Sequence, residues 1–341
     1  MKLLLNLFTL ILLSSCVKDK PQEPVKTAVS VNAETKVLIT NEGNYGWGLG
    51  TISLYDPYSG SVIDKYDQQQ NGGATLGNVC QSIAKHNNHY YIVINNSNKI
   101  VVVNASDFVR TAIITGFNSP RYFLPITYNK AYVSDLYASS VQVVDLNSNT
   151  ITGSIPCTKG TEEMVLIYNK AFITNTNSDY CYVVNTTTDV LTDSINVGKG
   201  SSSICIDKYS KVWVLSRGNS TQAGNLSRIN PVTLQVEQSL NFNLGDIPNK
   251  LCINKTHDTL YYLNNGVCQF QISSSILPAS KLISEGSKNF YGLGVNPKDY
   301  TIYVSDAINY NQKSKIEIYK PNGSFITNFN GGIISNDFMF E

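Results

Sequence analysis

The sequence is poor in charge. Only 15% of its 341 residues are Asp, Glu, Lys or Arg, and the formal net charge is +1. Binding to nucleic acid needs lysines and arginines clustered against phosphate, and this chain supplies no such cluster. We therefore expect no nucleic-acid partner.

Motifs for catalysis and metal binding are also scarce. There is no GxSxG elbow, no HExxH and no phosphate loop, and no cysteine or histidine spacing typical of a metal site. The three histidines, His86, His89 and His257, lie in polar links and are interpreted as turn residues. The sequence thus predicts a protein that is not an enzyme, with no catalytic residue, no metal and no cofactor.

Long hydrophobic runs are missing except at the N-terminus. Leu3 to Leu13 is too short to span a bilayer and is followed by Ser14, Ser15 and Cys16. This pattern resembles a bacterial lipoprotein cleavage site, which makes residues 1–16 a signal peptide with a lipidated Cys16. An ordinary signal peptide with an incidental cysteine is the alternative.

The segment after Cys16 has no hydrophobic period. Residues 17–20 (VKDK) resemble the charged stretch of surface-exported lipoproteins from Bacteroidetes-type bacteria. Residues 17–35 carry Pro, Glu and Lys and are predicted to be a flexible tether. Together these features predict a protein anchored by lipid to the outer membrane and exposed at the cell surface.

One unit of sequence recurs through the rest of the chain. Residues 131–145 (AYVSDLYASSVQVVD) contain two short runs of β-branched or aromatic residues with polar turn formers between them. The unit recurs at residues 171–185 (AFITNTNSDYCYVVN), and a period near 40 residues is typical of propellers and solenoids. The first strand of the unit occurs seven times, beginning at Val37, Tyr90, Ala131, Ala171, Val212, Leu260 and Thr301.

Each unit has room for four strands. A second strand follows the first, beginning at Thr51, Ile100, Val141, Tyr182, Leu226, Cys268 and Lys315. A more polar third strand and a fourth, apolar segment complete the unit. Residues 36–341 are therefore predicted to form an all-β fold, a seven-bladed β-propeller with four-stranded antiparallel blades.

The two ends of the repeat region predict how the ring closes. The first unit has no apolar segment before Val37, whereas the chain ends in an apolar segment, Asp337 to Phe340, that no later unit uses. We expect this C-terminal strand to join the first blade, which removes the open sheet edge.

Cysteines recur at one position of the unit. Cys80, Cys205 and Cys252 all fall in fourth segments, which predicts small buried residues near the axis. A disulfide between Cys205 and Cys252 remains an alternative in an oxidising compartment.

Two sets of loops are predicted to share one rim of the propeller, and they are rich in residues that bind ligands. They are the turns between the first and second strands and the links that lead to the next blade. The candidate ligand-binding residues on this rim are Asn41, Glu42, Tyr45, Trp47, Asn95, Arg121, Tyr122, Asp135, Tyr137, Glu162, Asn175, Arg217, Asp306 and Tyr310.

These candidates carry alternative interpretations. Asn and Asp directly after a strand commonly cap turns with their own side chains. Tyr45 and Trp47 stand among glycines and are poor core residues, so they favour contact with a broad, polar ligand. Glu42 with a distant carboxylate is a possible glycosidase-like pair, whereas the adjacent Glu162 and Glu163 point to opposite faces of an extended strand and are not expected to share a site.

The strands ending in YVSD and ITN, followed by VQVVD and YVVN, resemble the YncE/YVTN family of seven-bladed propellers. The phrases NEGNYGWGLGTISLYD, LGNVCQSIAKHNNHYYIVINNSNKI, SPRY and TEEM are similar to the BtuG group of Bacteroidetes surface lipoproteins. That resemblance implies a protein that captures a corrinoid of the vitamin B12 type as cargo. It also implies transfer of that cargo to a TonB-dependent transporter of the outer membrane.

Three hypotheses follow from the sequence. The first is a non-catalytic, corrinoid-binding surface lipoprotein that docks on a transporter. The second is a surface propeller that binds a protein or glycan, and the third is a carbohydrate-active lyase or hydrolase. Because no histidine lies on the predicted rim, we expect no protein ligand to a corrinoid cobalt.

Overall fold

The computed structural model describes residues 36–341, which form seven four-stranded antiparallel sheets arranged as the blades of a ring. The seven-bladed β-propeller predicted from the repeats is confirmed. The predicted signal peptide with Cys16 and the predicted tether, residues 17–35, lie outside the described residues.

Each blade is built from the innermost strand outwards, and the predicted fourth segment forms the innermost strand of the blade that follows it. Blade 1 consists of β28 (Ser335–Phe340), β1 (Val37–Asn41), β2 (Thr51–Asp56) and β3 (Ser61–Ile63). Blade 2 consists of β4 (Cys80–His86), β5 (His89–Ile94), β6 (Lys99–Asn104) and β7 (Arg110–Thr115). Blade 3 consists of β8 (Pro120–Pro125), β9 (Lys130–Asp135), β10 (Ser140–Asp145) and β11 (Thr150–Pro156). Blade 4 consists of β12 (Thr161–Ile167), β13 (Lys170–Asn175), β14 (Tyr180–Asn185) and β15 (Val190–Asn196).

The remaining three blades follow the same order. Blade 5 consists of β16 (Ser201–Ile206), β17 (Val212–Gly218), β18 (Ala223–Ile229) and β19 (Val236–Asn241). Blade 6 consists of β20 (Asn249–Ile253), β21 (Thr259–Leu263), β22 (Gly266–Gln271) and β23 (Ile283–Ser284). Blade 7 consists of β24 (Phe290–Val295), β25 (Ile302–Asp306), β26 (Lys313–Tyr319) and β27 (Phe325–Ile333).

Helical structure is confined to two short pieces among the described residues. These are α1 (Tyr66–Gln70) and a single 3₁₀ turn (Asn95–Ser97). The sequence predicted a loop where α1 ends. No helix within residues 36–341 is long and apolar enough to cross a membrane.

The hydrophobic core is divided among the seven contacts between blades. In β5, Tyr90 and Ile92 pack toward blade 1, whereas Tyr91 and Val93 pack toward blade 3. Successive side chains of a strand point to opposite faces, and here both faces are buried. This is why strands such as β5 and β6 are continuous apolar runs rather than alternating apolar and polar residues.

The C-terminal strand closes the ring as predicted. β28 pairs antiparallel with β1, and Phe338 lies opposite Ile39 while Phe340 lies opposite Val37. Both phenylalanine rings contact the ring of Tyr303 in blade 7, with centroids 5.9 and 5.2 Å away. The last strand therefore belongs to blade 1 and packs against blade 7.

Every innermost strand contains a β-bulge near its first residues. In blade 4, Thr161 pairs with Asn175 and Met164 with Ile173, so Glu162 and Glu163 together oppose one residue of β13. The register shifts at the corresponding place in the other six blades. A bulge breaks the alternation of side chains and re-aims them, and here it does so around the axis of the ring.

The six cysteines within the described residues are free thiols, so the alternative of a Cys205–Cys252 disulfide is not realised. Cys80 and Cys205 are buried on innermost strands, as the repeat position predicted.

Candidate functional site

A cavity of about 480 Å³ opens at the mouth of the central channel. All seven blades contribute to its wall, from Glu42 and Tyr45 of blade 1 to Tyr291 and Tyr310 of blade 7. The residues that line it include nine of the predicted set: Glu42, Tyr45, Asn95, Arg121, Tyr122, Tyr137, Glu162, Arg217 and Tyr310. Nine of the fourteen predicted residues therefore surround one cavity.

Four predicted residues do not line the cavity, because their side chains hold the rim loops together. These residues are Asn41, Asp135, Asn175 and Asp306, each at the end of the first strand of its unit and each buried. Asp135 shows the pattern: its carboxylate accepts hydrogen bonds from the amides of Tyr137 and Ala138 in its own turn, at 3.0 and 2.9 Å. It also accepts from the amides of Asn118 and Ser119 in the preceding link, at 3.0 and 2.9 Å. The turn-capping alternative describes these residues.

The other three make equivalent connections. Asp306 accepts from the amides of Ile308 and Asn289, at 2.8 and 2.9 Å. Asn175 accepts from Asn177 N at 2.8 Å and donates to carbonyls of the link before blade 4. Asn41 accepts from Gly332 N at 2.9 Å. Asp135, Asn175 and Asp306 thus join a turn to the neighbouring link, whereas Asn41 joins blade 1 to β27 of blade 7.

Trp47 lies on the rim but outside the cavity wall. It is 95% exposed, on the β1–β2 loop that also carries Tyr45. The loop is fixed at both sides: Asn44 donates to the carbonyl of Tyr310 at 2.6 Å, and Asn78 donates to the carbonyl of Asn44 at 3.0 Å. An aromatic side chain is therefore presented to solvent by an ordered loop.

Arg121 and Glu162 form a buried ion pair in the wall of the cavity. The Nε of Arg121 donates to both carboxylate oxygens of Glu162, at 3.1 and 2.9 Å, and its Nη1 donates to Oε1 of Gln81. Burial by itself lowers the pKa of Arg121, but Glu162, with smaller contributions from Tyr122 and Glu42, raises it overall. Three neighbouring blades are joined by these contacts.

Glu42 and Lys250 both contact Tyr291 in the wall of the cavity. The hydroxyl of Tyr291 donates to Oε1 of Glu42 at 2.9 Å, and Lys250 Nζ lies 5.7 Å from the Tyr291 ring centroid. Lys250 also donates to Oδ1 of Asn336. Burial raises the pKa of Glu42, and the charge of Lys250 opposes that rise.

Glu163 corrects one argument from the sequence. It points away from Glu162, since it accepts from Ser203 Oγ at 3.2 Å and from Ile204 N at 3.1 Å in blade 5. Both glutamates nevertheless line the same cavity, because they occupy the bulge of β12 and the innermost strand borders the channel. The two side chains therefore point in opposite directions as expected, but the bulge places both of them in the wall of one cavity.

A second, smaller cavity of about 270 Å³ shares Tyr122, Glu163 and Lys250 with the mouth. Asp337 lines this cavity, and burial raises its pKa. Burial also raises the pKa of Glu163 to about 8, against the opposing charge of Lys250. The channel thus holds carboxyl groups that take up protons on folding.

Stability should therefore decrease as the pH rises from about 4.5 to about 8. A carboxyl whose pKa is higher in the folded state binds more protons there, so the favourable contribution is complete below 4.5 and lost above 8. For Glu163 the full shift corresponds to at most roughly 5 kcal/mol. We expect Glu163→Gln to flatten the fall in Tm between pH 5 and 9 by a few degrees in thermal unfolding.

The control for this measurement is Glu237→Gln, because Glu237 is exposed and pairs with Lys211 at 2.7 Å. Its pKa is lowered by the hydrogen bond from Lys211, so its contribution has the opposite sign and is small. Identical pH profiles for the wild type and Glu163→Gln would contradict the assignment.

Several wall residues were missed by the sequence reasoning. They lie at or beside the bulges and include Gln81, Glu163, Ser202, Ser203, Asn249, Lys250 and Tyr291. Among the described residues, no group of three or more His, Cys, Asp or Glu side chains is arranged to hold a metal ion. The described histidines decorate the opposite rim: His86 Nε2 lies 3.2 Å from the carbonyl of Tyr128, and His257 Nδ1 lies 2.8 Å from that of Ile206.

Comparison with known proteins agrees with the fold. Residues 36–331 match the model of a family described as a domain of unknown function (DUF5074). A search of curated protein sequences gave no significant match. A quinonprotein alcohol dehydrogenase-like protein from Bacteroides thetaiotaomicron VPI-5482 is similar in structure, with a TM-score of 0.71 and 13% identity over 90% of this chain and 78% of that one. A functionally unknown protein from Desulfotomaculum acetoxidans DSM 771 has a TM-score of 0.70 and 13% identity over 90% of this chain and 98% of that one. At these identities the likeness concerns the fold alone.

Proposed function

We propose a ligand-binding function for this chain, which belongs to the DUF5074 family of domains of unknown function. The ligand is a broad, amide-bearing small molecule, and a corrinoid of the vitamin B12 type is the candidate. One observation carries the proposal: seven blades converge on a single cavity whose wall combines buried polar groups with the exposed rings of Tyr45, Tyr137 and Tyr310.

The chemistry of the mouth suits such a ligand. Exposed tyrosine rings on fixed loops offer flat apolar faces to a macrocycle, and their hydroxyls remain available for hydrogen bonds. Asn249 offers an amide group that matches the amide side chains of a corrinoid, whereas the Asn95 amide is held by Ser119 and Pro120. A ligand wider than the cavity would lie across the mouth and insert only its substituents. Binding of this kind needs no catalytic residue, metal ligand or cofactor.

The resemblance to the BtuG group extends the proposal to location and partner. A lipid on Cys16 would anchor the propeller to the outer membrane, at the cell surface, and a TonB-dependent transporter would receive the cargo. Trp47 supports a docking role, because an exposed tryptophan on an ordered loop beside the mouth is the kind of side chain that dominates protein interfaces.

Calorimetry with cyanocobalamin tests the proposal. We expect binding by the wild-type chain, and we expect Tyr45→Ala and Tyr137→Ala to weaken it by about tenfold or more, since each removes a ring contact at the mouth. Tyr128→Ala and Tyr168→Ala are matched controls, because these tyrosines are as exposed but lie on the turns of the opposite rim. No heat at micromolar protein would overturn the corrinoid proposal, and a glycan array would then test a sugar ligand.

A carbohydrate-active enzyme is the second candidate. It is favoured by one observation: Glu42 and Glu163, two carboxyl groups with raised pKa values, line the same cavity as the ion pair of Glu162 and Arg121. Glycoside hydrolysis requires a pair of carboxyl groups, of which the general acid has a raised pKa. Turnover of an oligosaccharide that is lost in both Glu42→Gln and Glu163→Gln would establish this candidate.

A further inference from the structure

A side cavity of about 380 Å³ adjoins the mouth on one side. It lies between the β17–β18 turn of blade 5, residues 218–220, and the link to blade 6, residues 245–247. Thr176 and Arg217 line both this side cavity and the mouth. The two spaces are therefore adjacent parts of one surface, with Arg217 at their junction.

The guanidinium of Arg217 is available for a ligand. Arg217 is exposed, and within the described residues its side chain forms no hydrogen bond or ion pair; only its backbone amide is bound, to the carbonyl of Gly200 at 3.0 Å. The other arginine at the mouth, Arg121, is already paired with the carboxylate of Glu162 and hydrogen-bonded to Gln81. A free guanidinium at the edge of a cavity favours a phosphate or carboxylate, which it binds through two parallel hydrogen bonds.

Three of the eight residues that line the side cavity are glycines: Gly200, Gly218 and Gly245. A Cβ built on Gly245 would meet no atom within 4 Å, so the space beside it is open. Ile247, which is 57% exposed, supplies an apolar surface, and Asn219 and Ser220 add polar side chains. Glycine backbone beside one exposed aliphatic side chain leaves room for a flat apolar ring.

We propose that this side cavity is a subsite for an arm of the ligand in which an anionic phosphate is joined to a flat aromatic ring. The phosphate binds to Arg217, the ring lies against Ile247 and the glycine backbone, and the body of the ligand occupies the mouth. The inference rests on the proposed ligand-binding function. It adds that the ligand has two parts and that Arg217 selects those carrying the anionic arm.

Calorimetry with two corrinoids tests the subsite. Cyanocobalamin carries a phosphate joined to an aromatic base, whereas cobinamide lacks both. We expect Arg217→Gln to weaken the binding of cyanocobalamin by about tenfold, the usual effect of one charge-assisted contact. The affinity for cobinamide should change less than twofold. Arg217→Lys should recover part of the loss. Arg228→Gln is the matched control, because Arg228 belongs to the same blade but pairs with Glu237 away from both cavities.

An aryl phosphate, phenyl phosphate, tests the subsite without any corrin ring. We expect it to shift the amide NMR signals of Gly218 and Gly245 in the wild-type chain and not in Arg217→Gln. Equal losses for the two corrinoids, or no loss for either, would overturn the subsite while the proposed function stands. If neither corrinoid binds the wild type, the proposed function fails, and the phenyl phosphate titration alone decides: shifts that depend on Arg217 support the subsite, and their absence overturns it.

Discussion

Deleting residues 333–341 is expected to lower the melting temperature sharply or to abolish cooperative unfolding altogether. The deletion removes β28, the innermost strand of blade 1, and leaves the edge of β1 unpaired. It also removes Phe338 and Phe340 from the ring of Tyr303. Loss of two such phenylalanines costs roughly 3–5 kcal/mol each, comparable with the whole free energy of unfolding of a typical domain.

The polar contacts of β28 add to this effect. Ser335 Oγ donates to Asn41 at 2.6 Å, and Asn336 donates to the carbonyl of Gln81 at 2.8 Å, both in buried positions. Their removal takes one buried hydrogen bond from Asn41 and one from the carbonyl of Gln81. Closure of the ring thus depends on one strand through packing, sheet pairing and buried hydrogen bonds together.

Thermal unfolding followed by circular dichroism measures the result. The control is Glu341→Gln, which keeps the strand and alters only the contacts of one partly exposed carboxylate with Lys85 and Tyr90. Recovery of the transition when a peptide of residues 333–341 is added would show that the missing strand is responsible. A melting curve that is unchanged by the deletion would contradict closure by β28.

The fold could be predicted because its signals are local and repeated. Each strand is a run of β-branched and aromatic residues, and the period reports the number of blades without any knowledge of long-range contacts. Closure by residues 337–340 followed from counting apolar segments. No long-range information was needed, because the sequence shows both the extra apolar segment at its end and the missing one before Val37.

The wall of the site was harder to predict, because it depends on bulges. A polar residue inside an apolar segment, such as Gln81 or Lys250, was given no role by the period-2 rule, yet the bulge turns it toward the axis. Aligning the fourth segments would have shown a polar residue at the same place in most of them. Conversely, Asp135 and Asp306 were obvious polar candidates, but neighbouring backbone amides from two loops bind them, and that pairing of loops is a tertiary feature.

Replacing Arg121 with Met is expected to destabilise the protein by about 3–5 kcal/mol at pH 8. The substitution leaves Glu162, which is 5% exposed, as a buried carboxylate without its cation. Chemical denaturation at pH 8 measures the loss, and a loss below about 1 kcal/mol would show that Arg121 does not stabilise the channel through its charge.

A double variant distinguishes loss of the ion pair from the cost of leaving one charge buried without its partner. Arg121→Met combined with Glu162→Leu removes both charges, and we expect it to be more stable than Arg121→Met alone, because no unpaired charge remains in the channel. Lys313→Met is the matched control: Lys313 and Asp64 form an ion pair of similar length, 2.7 Å, but both side chains are exposed, so its loss should cost less than about 1 kcal/mol. If Lys313→Met destabilised the protein as much as Arg121→Met, burial of the ion pair would not explain the effect of Arg121.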